Sequence, residues 1–310
     1  MTGPMVSVVI PAYDAASTLA RAVDSVVAQT FLDWELIVVD DGSRDETVSV
    51  ARGYGDRLRL LRGPHLGPGE ARNRGAAEAR GRYLAWLDAD DVWYPTKLEK
   101  QIDLAASDDA LEFVTADYRY MDEAGRSLGT GFARNTWLTA RWQGAGRPDR
   151  LVFTREDVPR YLREGFGATI TMLLTRALFD RIGGFCGWLS VAEDVHLAIR
   201  AVAGAAKFGA VCEPLATYYV HPASTVRQDK EYAHRETIRA YQDLRRVLGT
   251  CEGSVQRALS EPLGRAHLDH ATILAGQGRR HEGLAAAWRS LRIRPRRTAL
   301  TRLLGMVVGG

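Results

Sequence analysis

The hydrophobic positions of this chain alternate between two kinds of run over its first third. Val6 to Ile10 (VSVVI), Glu35 to Asp40 (ELIVVD) and Tyr83 to Leu87 (YLAWL) are short, nearly continuous apolar stretches rich in β-branched or aromatic residues. That pattern suits strands covered on both faces. Segments of helical period lie between them. Ser17 or Thr18 can cap a helix through about Gln29 that has Leu19, Val23, Val26 and Val27 on one face, and Gly69 to Arg80 forms an Ala-rich second helix closed by Gly81. Arg59 to Leu61 adds a further short strand. Strand, helix and strand within roughly 35 residues make one βαβ unit, whose right-handed crossover leaves its strands parallel. Its repetition predicts a doubly wound sheet of the nucleotide-binding kind. Two capping boxes are expected, Ser43 with Glu46 and Thr96 with Glu99, the latter after Pro95 at a first-turn position.

The strands of this half run into acid. Asp40 and Asp41 end the second, while Asp88, Asp90 and Asp91 follow Leu87 at once. Open α/β sheets bind ligands at the carboxyl ends of their strands, and carboxylates this close repel one another unless a cation or a proton intervenes. An Asp-x-Asp spacing can supply oxygens to Mg²⁺ or Mn²⁺, or it can be a solvated acidic turn; the spacing alone leaves both open. Asp14, Asp40 and Asp41 can accept hydrogen bonds from a base or a ribose. Neither GxGxxG nor GxxxxGK[ST] occurs, so a dinucleotide or P-loop reading loses its main support.

Beyond the aspartates the pattern is less regular. Leu111 to Tyr118 is expected as a strand with Asp117 near its end. Gly125 to Pro148, rich in Gly and Arg with Trp137 and Trp142, has no sustained period and predicts a mobile loop or excursion over the site, its rings either stacking on a ligand or packing. Ala168 to Thr175 reads as a strand, Arg176 to Ile182 as a helix ended by Gly183-Gly184, and Glu193-Asp194 as the start of a helix running through Ala205. Ala206 to Cys212 is expected as an edge strand, with Pro214 to His221 leading into His221-Pro222-Ala223-Ser224-Thr225. From Asp229 onward the chain is helical. Tyr232 to Leu248 is amphipathic, and Leu259 to Pro295 resembles one tetratricopeptide hairpin, which cannot bury its face alone and so should pack on the catalytic domain or a second subunit.

Three segments together give a specific resemblance: VSVVIPAYD, DWELIVVDDGSRDET and ARNRGAAEARGRYLAWLDADD, followed by LLTRALFDRIGGF, Glu193-Asp194 and YYVHPAST. In order and spacing, over roughly residues 5–105, they resemble the nucleotide-binding half of inverting, family-2-type glycosyltransferases. The resemblance implies an α/β, GT-A-like, doubly wound and mostly parallel sheet with a C-terminal α-helical region. It also implies boundaries: 1–228 for the glycosyltransferase domain (5–110 for the nucleotide sugar, 111–228 for the acceptor side and base) and 229–310 for the helical extension. Pro11, Ala12 and Tyr13 would line the base pocket, with Asp14 beside them, and Asp41 would accept the N3–H of a uracil-like base. Arg72 would approach base or phosphate, Asp88 the ribose and metal side, and Asp90 would be the principal ligand of Mn²⁺ or Mg²⁺ on the diphosphate, joined by Asp88 and His221. Asp194 would be the general base. The implied reaction is metal-dependent inverting transfer from a nucleoside-diphosphate sugar, UDP first, to a hydroxyl of a glycan, lipid-linked or natural-product acceptor.

Composition changes this picture little. The 310 residues are 46% hydrophobic and 25% charged, as in an ordinary globular protein. The net charge of +3 conceals an asymmetry, because from Lys230 onward 15 Lys plus Arg face 7 Asp plus Glu. A basic tail fits an anionic partner, such as a lipid surface met at Trp288 to Val308 or another subunit, or it is a solvated Arg-rich face. Cys186, Cys212 and Cys251 show no metal-ligand spacing and read as reduced thiols of a cytoplasmic protein. No stretch spans a bilayer, so any membrane would be met from its inner face. Basic residues are not interleaved with aromatics as nucleic-acid platforms require. A sugar nucleotidyltransferase would carry a Gly-rich loop where PAYDAAST stands, and a non-catalytic nucleotide-sugar scaffold acting through the C-terminal helices would not need every acidic position.

Overall fold

β1 (Val6–Ala12) is a run of seven residues buried almost throughout, because both of its faces are covered. The structure, a computed structural model, describes residues 3–221, 228–249, 253–295 and 301. α1 (Leu19–Val27) returns to β2 (Trp34–Asp40), α2 (Thr47–Arg52) to β3 (Arg59–Arg62), and α3 (Pro68–Glu78) to β4 (Tyr83–Trp86). These four strands pair in parallel in the order β3-β2-β1-β4, as the repeated crossovers predict. α3 lies so close to the sheet that a Cβ on Gly75 would stand 2.3 Å from Val9 Cγ1, which only glycine avoids.

The sheet then changes character. β5 (Val92–Trp93) and α4 (Lys97–Ala106) lead to β6 (Leu111–Asp122), β7 (Ser127–Thr130), α5 (Thr136–Gly144) and β8 (Arg150–Phe153). After α6 (Val158–Glu164) come β9 (Leu173–Thr175), α7 (Arg176–Ile182), α8 (Glu193–Gly204) and β10 (Lys207–Val220). β9 runs antiparallel between β4 and β6, β6 and β10 are parallel, and β5 and β8 pair antiparallel with β10. The sheet is therefore mixed: parallel on the side of β1 to β4 and mixed beyond.

Several expectations are corrected. The helix after Asp41 starts at Thr47, not at a Ser43–Glu46 box; Ser43 Oγ accepts the amide of Asp14 instead, and Asp45 takes the Thr47 amide at 3.0 Å. Thr96 is the N-cap of α4 but makes no side-chain capping bond, and Glu99 accepts from Thr30 Oγ1 at 2.6 Å. Residues 125–148 are no formless loop, since β7, a turn of 3₁₀ helix and α5 fill them. Asn135 caps α5 by accepting the Leu138 amide, and Trp137 packs on Phe153 and Phe166 at centroid distances of 5.6 and 5.8 Å, so its ring serves packing. Of the expected strand at 168–175 only Leu173–Thr175 pairs in the sheet, Thr169–Thr171 being a 3₁₀ turn. Nor is the segment after Ala206 an edge strand: β10 runs fourteen residues with partners on both sides.

Two compact units divide the chain, Met1–Asp157 with Phe166–His221 and Val158–Gly165 with Pro222–Gly310. The second contains α6, α9 (Lys230–Val247), α10 (Gly253–Gly276) and α11 (Arg280–Ile293). α10 and α11 form the expected hairpin. Ala271 and Leu274 meet Ala286 and Ala287 in a small core, Ser290 Oγ donates to the Gly264 carbonyl at 2.7 Å, and Ile238 of α9 packs on Leu263 and Ala266. Pro222 to Thr225, Cys251 and most of the tail after Pro295 lie outside the described residues. Among the described residues no helix is long and apolar enough to cross a membrane. Cys186 and Cys212 form no disulfide among the described residues.

Candidate active site

The carboxyl ends of β1 and β2 lie side by side, Ala12 opposite Asp40 in register, and the Asp41 amide donates to the Ala12 carbonyl at 2.8 Å. Asp41 is buried, 3% exposed, and its carboxylate gathers the loop that precedes α3. It accepts the amides of Leu66 at 3.0 Å and Gly67 at 2.8 Å, with His65 Nδ1 3.2 Å away. A carboxylate has about four acceptor positions, so one remains for a ligand N–H. Tyr13 projects half-exposed from the end of β1 and stacks on His65, ring centroids 3.9 Å apart and planes at 28°. Asp14 completes this edge with φ of +46°, its Oδ1 accepting the Arg44 amide at 2.7 Å. Pro11, Ala12, Tyr13, Asp14 and Asp41 thus share one rim.

β4 exits into Asp88, whose Oδ1 accepts from Arg72 at 2.6 Å, while the other terminal nitrogen of Arg72 donates to Glu193 Oε1 at 2.7 Å. The guanidinium is 4% exposed and lies 5.2 Å from the Phe185 ring centre. Burial disfavours its charge, but the two carboxylates more than compensate and hold it firmly protonated. Burial pushes Glu193 up to about 7, with Arg72 pulling down and Asp194 pushing up. Arg72, expected to touch base or phosphate, is therefore first a strut between the end of β4 and the start of α8.

Asp90 and Asp91 have no such partner. Asp91 is buried, its Oδ1 accepting the Tyr219 amide at 2.8 Å and its Oδ2 accepting nothing. Loss of water and then the neighbouring aspartates push both carboxyls up. Arg21 binds the Asp90 carbonyl at 2.8 Å rather than its carboxylate. The Asp90 side chain is half-exposed, and its Oδ2 lies 3.7 Å from His221 Nε2, a ring nitrogen with no hydrogen-bond partner. An unpartnered imidazole nitrogen, a facing carboxylate oxygen and two further acids fit the oxygen and nitrogen donors of Mn²⁺ or Mg²⁺. Asp90 and His221 would hold the ion; Asp88 has one oxygen committed to Arg72, and among the described residues the three do not close into a single ligand cluster.

Asp194 sits in the first turn of α8, where the helix N-terminus favours a negative charge. Ala192 before it adopts the left-handed conformation at φ of +64°, an uncommon position for a residue with a Cβ. Asp194 Oδ1 accepts the Val195 amide at 2.7 Å and Oδ2 accepts the Thr169 hydroxyl at 3.2 Å. The Tyr218 hydroxyl locates this base relative to the other acids. Burial raises its pKa first, and Asp91, Asp88, Asp90 and Asp194 each raise it further, so all four carboxylates act on one phenol. Arg72, bonded both to Asp88 and to Glu193 beside Asp194, ties the start of α8 to the acidic loop. Sequence reasoning missed Thr169 and Arg21, which belong to none of the motifs read from the sequence, and His65, which lies in the glycine-rich stretch Gly63 to Gly69; Tyr218 lay unremarked inside YYVHPAST.

Residues 7–183 match the family model described as glycosyl transferase family 2. An uncharacterised glycosyltransferase of Rickettsia prowazekii is 40% identical over 198 residues, 63% of this chain and 57% of that protein. A second relative, the UDP-Glc:alpha-D-GlcNAc-diphosphoundecaprenol beta-1,3-glucosyltransferase WfgD of Escherichia coli, is 36% identical over 120 residues, 38% of this chain and 47% of WfgD. The chain thus spans about half the length of these relatives. Two solved structures share the fold: S. aureus TarS 1-349 in complex with UDP-GlcNAc (TM-score 0.66, 16% identity, 94% of this chain and 82% of that one) and the mannosyltransferase PcManGT of Pyrobaculum calidifontis with GDP-Man and Mn²⁺ (TM-score 0.60, 19% identity, 98% and 80%).

Proposed function

The chain belongs to glycosyl transferase family 2, and from that premise we propose that it moves a sugar from a nucleoside diphosphate, UDP first, to an acceptor hydroxyl with inversion at the anomeric carbon. The observation that carries the proposal is the bridge of Arg72, 2.6 Å from Asp88 in the acidic loop and 2.7 Å from Glu193 beside Asp194, which ties the metal-side acids to the first turn of α8. The base would stack on Tyr13 and give its N3–H to the acceptor position left on Asp41. Uracil, thymine and guanine offer such an N–H beside a carbonyl and cytosine does not, which disfavours a CDP donor. The nucleotide sugars named with the two structural neighbours support the donor class.

Asp90 and His221 would hold Mn²⁺ or Mg²⁺, which when bound supplies positive charge to a leaving diphosphate. Asp194 takes the proton of the acceptor hydroxyl as its oxygen attacks the face opposite the nucleotide. One base and one displacement give inversion. WfgD, whose acceptor is a lipid-linked sugar, supports an acceptor of the cell-envelope type, with natural-product glycosylation as the other setting.

The test is Asp194→Asn, assayed as UDP released from UDP-GlcNAc and UDP-glucose with Mn²⁺. The variant should fold, bind UDP as before and lose about 10²- to 10⁴-fold in rate, the usual span of general-base catalysis. A rate near that of the parent enzyme would remove Asp194 from the chemistry.

A further inference from the structure

Thr169 stands in the short 3₁₀ turn Thr169–Thr171 and is 4% exposed, yet its side chain serves no turn geometry. Thr171 does that: its hydroxyl accepts the Ala168 amide at 3.1 Å and donates to the Ala168 carbonyl at 2.9 Å. Thr169 instead reaches Asp194 Oδ2 at 3.2 Å, across 25 positions of sequence. The turn behind it is fixed from three directions. Trp93 Nε1 donates to the Ile170 carbonyl at 2.7 Å, Gln101 Nε2 to the Thr171 carbonyl at 2.7 Å, and the hydroxyls of Thr115 and Thr171 meet at 2.8 Å. All these partners are buried. Trp93 comes two residues after Asp91, so the indole that holds the turn is carried by the segment that ends the acidic loop.

The consequence for Asp194 is geometric. Its Oδ1 is engaged by the adjacent amide of Val195, a bond that turns with the helix and fixes nothing outside it. The bond to Thr169 is the one that refers the carboxylate to the sheet and, through Ile170 and Trp93, to the acidic loop. A base that must face an acceptor oxygen while the donor is held by that loop loses rate steeply when misplaced by about 1 Å.

We propose that Thr169 is a positioning residue for Asp194, the outermost member of a bracket (Trp93, Ile170, Thr169) that sets the base relative to the diphosphate-binding loop. This rests on the reading of Asp194 as the base. The chemistry needs a hydroxyl donor at this point and not merely a β-branched filler, so Thr169→Ser keeps the function and the near-isosteric Thr169→Val loses it.

The experiment uses the full chain, UDP release from UDP-GlcNAc and UDP-glucose with Mn²⁺, and crystal structures of the same variants. Thr169→Val should lower kcat roughly tenfold, the usual worth of one hydrogen bond to a charged group, with KM for the donor unchanged. Thr169→Ser should restore at least half of the rate. Trp93→Phe, which keeps a ring but removes the donor to Ile170, should lower kcat several-fold in the same manner. In crystals of Thr169→Val the Asp194 carboxylate should leave the position it holds in the parent enzyme. An unmoved Asp194 overturns the proposal whether or not the assay detects turnover, as do unchanged kcat in Thr169→Val or failure of Thr169→Ser to rescue. The two readings separate cleanly: loss of rate in Asp194→Asn with none in Thr169→Val sinks the bracket and leaves the base standing, whereas an active Asp194→Asn removes the base itself.

Discussion

Two groups of carboxylates meet at the cleft and are treated in opposite ways. Asp88 and Glu193 share the guanidinium of Arg72, which contacts each at 2.6 to 2.7 Å. Asp90 and Asp91, two and three positions after Asp88, make no ion pair with Lys or Arg among the described residues, Asp90 facing only the His221 ring at 3.7 Å, and both are pushed toward protonation. The difference separates structure from ligand. A counter-charge built into the protein locks β4 to α8 permanently, while acids left unneutralised form a site that pays a repulsion until something positive arrives.

The comparison breaks first at Arg72. Arg72→Met should cost about 3 to 5 kcal/mol of unfolding free energy, the usual penalty for stripping a buried pair of its partner, because Glu193 would be left buried and Asp88 mostly so. The penalty should grow with pH. Glu193, already raised to about 7, would hold its proton in the folded variant and release it on unfolding, so alkaline conditions favour the unfolded chain by up to about 1.4 kcal/mol per pH unit. Urea titrations at pH 5.5 and 8 measure this, and Arg72→Met/Glu193→Gln should recover part of the loss. A variant as stable as the parent at both pH values would mean that the strut carries no load.

The helical unit offers the contrasting case, a buried group with no counter-charge at all. His267 is 4% exposed, its Nδ1 has no hydrogen-bond partner, and burial, then Arg289 and His270, lower its pKa to about 4. An unfolded histidine titrates near 6.5, so the neutral ring contributes stability that is complete above pH 6.5 and is lost as pH falls toward 4. The loss should reach about 2 to 3 kcal/mol. Amide exchange in α10 of the full chain, at pH 7 and 4.5, reads it; His267→Phe should flatten the dependence, and an equally acid-labile His267→Phe would assign the effect elsewhere.

Legibility in the sequence follows the same division. The parallel half could be read because each of its strands is covered on both faces and so is written as an unbroken apolar run, as in Val6 to Ile10, and because its crossovers have one allowed hand. Gly183-Gly184 likewise announced the end of α7, since φ of +77° at Gly183 is a backbone demand with a residue-level signature. The capping boxes failed because Ser43 and Glu99 found tertiary partners, Asp14 and Thr30, that outcompete a local cap. Residues 125–148 were misread for a related reason: α5 has almost no apolar face of its own, being held by the Asn135 cap and by Trp137 against Phe153 and Phe166. Within the site, the aspartates were visible as a motif, whereas the roles of Arg72 as a strut and of Thr169 depend on contacts 121 and 25 positions away that no spacing encodes.

The external cation is the next place to press. With Mn²⁺ and UDP at about 100 times their dissociation constants the parent enzyme should gain about 2.7 kcal/mol of stability, and Asp90→Ala should lose the Mn²⁺-dependent part while retaining its fold. Thermal-shift titrations with UDP alone, Mn²⁺ alone and both together resolve this; an Asp90→Ala protein that still responds to Mn²⁺ would place the ion elsewhere. The smallest effect concerns Lys97, a lysine wholly buried in α4 with its ammonium nitrogen 3.7 Å from the centre of the Trp93 ring and no hydrogen-bond partner. Burial alone drives its pKa well below the ordinary value, so the fold disfavours the charged form that solvent favours. Lys97→Met keeps the length of the side chain and removes the polar atom, and it should raise stability by about 1 to 2 kcal/mol at pH 7 with UDP binding unaltered. The gain should grow as pH falls from about 10.5 toward the lowered folded pKa, because over that window the unfolded chain takes up a proton that burial disfavours in the fold. A destabilised Lys97→Met would show instead that the amine is held by a partner such as a buried water, and that even this unneutralised group had been provided for.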